Sequence, residues 1–220
     1  MPATRTHYGA AYYGVDYYGI VPANNFGAAI EMQLGGLSGA WTDVTDDVLN
    51  PINVSYGIQG NTVMDRVAST GTMELELNNS EANSAGLIGY YSPGHANARS
   101  GFDIGISVRL TMTDGTNTKR IYGRIPPGGI SVVAGTKGAR RTMVTVVDWM
   151  EQAALYPLIV QALEEDQRID QVVTTIVSAV PVAPLSTDYN TGGDVFAYAF
   201  DTLGTATRAL TEFQKLAISE

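Results

Sequence analysis

The chain has 220 residues, a net charge of −9 and a charged fraction of 16%, well below the roughly 25% usual for soluble domains. That charge and a pI near 4.6 argue against a specific nucleic-acid binder, because phosphate contacts require clustered Lys and Arg. Its zero cysteines exclude disulfides, zinc-thiolate sites, iron-sulfur clusters and a cysteine nucleophile. A surface so poor in charge fits a subunit whose faces are covered by neighbours, because interface cores are depleted of charge.

Behind Met1-Pro2-Ala3-Thr4-Arg5 there is no apolar h-region, so the N-terminus predicts no secretory signal. No apolar run approaches the about 18 residues of a membrane span. Residues 7 to 27 are a Tyr/Gly/Ala segment in which neither a period of 2 nor one of 3.6 is sustained. It reads either as a loosely docked arm or as an arm that lays its tyrosines on a neighbouring subunit. On the second reading Tyr12, Tyr13, Tyr17 and Tyr18 are the candidate subunit-contact residues.

From Ala28 a strand pattern begins, with Ile30, Met32 and Leu34 alternating with Glu31 and Gln33. The stretch from Trp41 to Val48 is turn-rich; its Asp43, Asp46 and Asp47 lack calcium-loop spacing and read as turn and cap carboxylates. Ile52 to Ile58 is extended, and residues 70 to 77 alternate Met73, Leu75 and Leu77 with Thr72, Glu74 and Glu76. Residues 80 to 100 read as a long loop, of the kind that usually carries contacts.

The block from Phe102 to Met150 organises the rest. Ile104, Ile106, Val108, Leu110 and Met112 form an apolar face that predicts a strand, Asp114-Gly115 supplies a hairpin turn, and Lys119 to Ile125 returns. Ile130 to Val133 and Thr142 to Val147 predict two more strands. Beyond Trp149 the period lengthens. Residues 149 to 156 predict a short helix; Ile169, Val172, Val173, Ile176 and Val180 give one apolar helical face; and Ala206 to Ala217 repeat that spacing after a strand at Val195 to Phe200. The fold class is therefore mainly β, an antiparallel barrel or sandwich, with an α-containing C-terminal segment, α+β overall. Its divisions are an arm at 1–27, a β-domain at 28–150 and a helical and mixed segment at 151–220, which reads as part of a domain that continues beyond Glu220.

No residue pattern in the sequence marks a catalytic, cofactor or metal site. His7 and His95 have no partners at triad or zinc spacing. Gly135-Thr136-Lys137-Gly138 departs from the phosphate-loop order. Glu74 and Glu76 share the solvated side of a strand, and Glu164-Glu165-Asp166 precedes a helix whose dipole favours acidic groups there. An enzyme fragment such as a wall hydrolase is the weakest alternative, and a carbohydrate-binding β-sandwich using exposed tyrosines is the stronger one.

The order of several short motifs over residues 28 to 180 resembles the hub or minor tail proteins at the tail tip of long-tailed bacteriophages. The motifs are Trp41-Thr42-Asp43-Val44-Thr45 with Val48, the Met73 to Asn78 strand, Tyr91-Ser92-Pro93, Val108-Arg109-Leu110, Ile121-Tyr122-Gly123-Arg124-Ile125, Val146-Val147-Asp148-Trp149 and Arg168-Ile169-Asp170-Gln171. The resemblance implies a tube-related β-domain and a homotrimeric ring in the virion that caps the tail tube and meets the distal tail and tape-measure proteins. It implies no cofactor and no enzymatic activity, with DNA passing through the lumen unbound. The ring would use the Ile104 to Met112 face as its core, with Trp41 and Trp149 as packing anchors. The Tyr/Gly-rich start has no counterpart in that family.

Overall fold

The structure, a computed structural model, describes residues 27–36, 39–49, 52–58, 66–135, 140–158, 161–200 and 207–219. Tyr12, Tyr13, Tyr17 and Tyr18 lie outside the described residues. Alternating apolar positions become strands: β1 (Gly27–Gln33), β2 (Trp41–Asp43), β3 (Asn53–Ser55), β4 (Thr72–Asn78), β5 (Ser107–Thr113), β6 (Thr118–Arg124), β7 (Ile130–Val133) and β8 (Arg141–Val147). They form one antiparallel sheet in the order β2-β1-β5-β6-β8-β4-β3, with β7 beside β8.

One face of this sheet encloses a single core. Ile30 and Met32, Met73, Leu75 and Leu77, Val108 and Leu110, and Val144 and Val146 are all buried together, as a period-2 pattern requires when one face is covered. The sheet curls without closing. Its terminal strands β2 and β3 have only three residues each, and the chain leaving β2 reaches β4 through one bridge, Val48 to Leu77, and the 2.8 Å bond from the Leu49 amide to the Glu76 carbonyl. The expected mainly β, α+β class holds, but the barrel is not closed: among the described residues no continuous ladder joins the ends of the sheet.

The proposed ring core is also corrected. Ile106, Val108 and Leu110 are buried in the chain's own interior, Ile104 precedes the strand and is 49% exposed, and Met112 packs at the core's margin. The three buried members of that face have no apolar area left for a neighbour. The β5–β6 hairpin turns at Asp114, whose carboxylate accepts the Thr116 and Asn117 amides while Gly115 takes φ 91°, the left-handed region glycine enters freely. The turn has four residues, since Thr113 pairs Thr118.

A second cluster follows. Asp148 ends β8 and caps α1 (Trp149–Leu155), its Oδ1 accepting the Met150 amide at 3.0 Å while its own amide donates to Gly71. α2 (Ile169–Ala179) buries Val172 and Ile176, one turn apart, and Val180 just beyond, against Ala153, Leu158 and Ala209, the last on α3 (Ala209–Ser219). A strand the sequence hid precedes α2. Glu164-Glu165-Asp166, which reads in sequence as an acidic lead-in to a helix, belongs to β9 (Glu164–Arg168), which pairs β10 (Val195–Ala199) in a two-stranded ribbon.

Candidate functional site

Three groupings of side chains have the density of a site. The first is interior. Asp47, 2% exposed, accepts the Tyr91 hydroxyl at 2.5 Å and both the amide and hydroxyl of Ser84 at 2.6 Å. The Tyr91 hydroxyl in turn accepts from Arg99, and the Tyr91 amide donates to Asn79 Oδ1. Thr142 on β8 donates to the Tyr91 carbonyl. Burial and then the bond to Asp47 push the Tyr91 phenol far above its ordinary value, so it stays a donor. Its ring meets Tyr90 and Phe102 edge-on, each at 5.2 Å. Every lone pair of Asp47 used here serves to hold the long loop on the sheet.

The second grouping lies on the outer face. Asp43, Glu31, Arg109 and Tyr122 are successive cross-strand partners on β2, β1, β5 and β6. Arg109 grips Glu31 with two bonds, 2.5 and 2.7 Å, and Thr111 adds a third. These bonds hold the Glu31 carboxyl below its usual range. The guanidinium also sits 4.4 Å from the Trp41 ring centroid, and Tyr122 leans on the same ring at 6.1 Å. Trp41 is therefore an outer-face anchor, and the Arg109 cation already lies against its π-face, where a sugar would stack.

The third is the junction of sheet and helices. Trp149 donates from Nε1 to the Val182 carbonyl at 2.7 Å and packs 6.2 Å from Phe213. Beside it an open apolar groove of about 530 Å³ is lined by Met150, Val173, Val177, Phe213 and Ala217. The expectation of Trp149 as an anchor holds for the chain's own second cluster.

Other residues singled out by sequence stay apart. His95 is an exposed loop residue whose Nδ1 accepts the Asn97 amide, and Lys137 lies outside the described residues. Glu76 pairs with Arg141 at 2.9 Å, and Glu74 is exposed. Tyr56 just after β3, Tyr189 in the loop between α2 and β10, and Tyr198 on β10 are exposed at separate places in the chain. Among the described residues no group of three or more His, Asp or Glu is placed to hold a metal ion, and no helix is long and apolar enough to cross a membrane. Sequence reading missed Asp47, since one carboxylate among three in a turn carries no mark of burial.

No protein-family model and no curated protein sequence matches this chain. Among solved structures, the 43 kDa tail protein of prophage MuSo2 from Shewanella oneidensis superposes with a TM-score of 0.51. The chain is similar in fold to a prophage tail protein. The two share 10% sequence identity, and the match covers 88% of this chain and 50% of the other, so this chain spans half the length of that protein. At that identity the likeness is one of fold.

Proposed function

We propose that this chain is a non-enzymatic structural protein of a phage tail, acting at the tail tip as a hub subunit. The observation that carries the proposal is the fold likeness to a prophage tail protein over 88% of the chain. On this reading residues 28–150 are the tube-related domain, residues 151–220 connect it to its neighbours, and the arm before them lays Tyr12, Tyr13, Tyr17 and Tyr18 on an adjacent subunit. Three copies would form the ring and meet the tail tube, distal tail and tape-measure proteins. The negative balance of the chain suits a conduit through which DNA slides without sticking.

The test is to raise antibody to the chain, purify the particles that carry it, and locate the label by electron microscopy together with the symmetry of the labelled ring. Label at the distal end of the tail with threefold symmetry supports the proposal. Label on the head, along the whole tail, or absent from particles sinks it.

A further inference from the structure

The chain's charge is divided unevenly. Residues 151–220 hold ten acidic and three basic residues, net −7 of the chain's −9. Within that segment Glu165 and Asp166 on β9 are exposed and, among the described residues, make no ion pair. The opposite sign gathers on β6, where Lys119, Arg120 and Arg124 stand in a strand with no carboxylate. Lys119 and Arg120 are exposed and likewise without an ion pair among the described residues. Asp114, the one acid in the hairpin turn, is bound by Thr116 and Asn117.

Both surfaces also have open backbone. β6 is paired to β5 along its length, but on its other side, among the described residues, only Arg124 meets β8, so the edge of residues 118–122 carries no ladder there. The β9–β10 ribbon is two-stranded, which leaves the outer edge of each strand unpaired among the described residues. A lone pair of strands is marginal in water, and this one exposes Val195 at 55% and Tyr198 at 59%. It also holds two non-glycine residues in the left-handed region, Asp166 at φ 54° and, just after β10, Phe200 at φ 65°. Such conformations persist where surrounding contacts over-determine them.

We propose that copies of this chain join head to tail, the basic free edge of the β5–β6 hairpin of one copy docking on the acidic β9–β10 ribbon of the next. Charge complementarity selects the occupant: two hairpins or two ribbons would repel, so the contact is heterologous, the kind that closes into rings. Edge-to-edge pairing supplies main-chain bonds, and Val195 and Tyr198 supply apolar area. The inference deepens the assembly reading above by naming the surfaces that would meet.

The absence of cysteine from the chain makes the test clean. Thr118→Cys on β6 and Ala197→Cys on β10 are both exposed sites. Mixed and oxidised, the two single variants should give a disulfide-linked dimer that neither forms alone, and a chain carrying both should give a ladder or a closed ring. Adding Lys119→Glu and Arg120→Glu to the first variant should abolish the product, and adding Glu165→Lys and Asp166→Lys to the second should restore it. No cross-link in the mixture, equal cross-linking of either variant alone, or failure of the reversed charges to rescue would overturn the contact. Failure here with the chain still labelled at the tail tip refutes the contact alone; a cross-link in a chain absent from particles refutes the tail reading alone.

Discussion

Replacing Tyr91 with Phe removes one oxygen and keeps the ring between Tyr90 and Phe102. What is lost is the 2.5 Å bond to Asp47, whose carboxylate is buried beneath the loop, together with the acceptor of the Arg99 guanidinium. A hydrogen bond to a charged group contributes about 1.5–3 kcal/mol. For a chain of this size each kcal/mol lowers Tm by about 2–4 °C, so Tyr91→Phe should melt about 3–12 °C lower. Asp47→Ala should cost more, at least about 3 kcal/mol, because it strips the acceptor from the Tyr91 hydroxyl and from two Ser84 donors at once. The two changes share a partner, so their effects should fall short of additive by about 1–3 kcal/mol in a double-mutant cycle. Urea denaturation gives the energies, and limited proteolysis between residues 80 and 100 reports the loop. If both variants unfold within about 0.5 kcal/mol of the parent and the loop stays resistant, the network does not hold it and the reasoning fails.

Three further outcomes follow from geometry. Because Arg109 holds the Glu31 carboxyl below its ordinary value of 4.5, that pair's stabilisation is present above this pH and lost as pH falls through the depressed value; Glu31→Gln should flatten this part of the acid limb in urea midpoints measured from pH 2 to 7. Gly123→Ala would place a Cβ 2.6 Å from Val146 Cγ1 and from the Val147 carbonyl, and the strand must shift at a cost of about 1–3 kcal/mol, read by thermal unfolding. Asp148→Ala removes the cap of α1 and should cost about 1 kcal/mol, whereas Asp148→Asn, which still caps, should stay close to the parent; equal losses in the two would show that capping is not what Asp148 contributes.

Much of the sheet was legible because burial on one face writes itself as alternation. β1, β4, β5 and β8 appear where Ile30, Leu75, Val108 and Val144 repeat every second residue. The same alternation cannot say what covers the face: Ile106, Val108 and Leu110 lie in the chain's own interior, whereas the resemblance implies the core of a ring. β9 has no apolar member to alternate, so Glu164–Arg168 is a strand only through its partner β10. Asp47 illustrates the other limit: its burial depends on Ser84 and Tyr91, 37 and 44 residues away, and no local pattern encodes that. The helical spacings at 169–180 and 206–217 needed no such help, since their apolar faces pack on each other in the second cluster.

The strand order also sets how the chain must fold. Ile30 pairs Leu110, 80 positions away, and Leu75 pairs Val144, 69 positions away; among the central strands only β5 and β6 meet across a short turn. Loop closure has to precede the reward of each distant ladder, so this topology belongs to the slow regime of milliseconds to seconds. The hairpin can form within microseconds and then waits, with Val108 and Leu110 open to water, until β1 arrives from the far end of the sequence. During that interval β5 is an unprotected template for any other strand nearby, so refolding yield should fall as protein concentration rises.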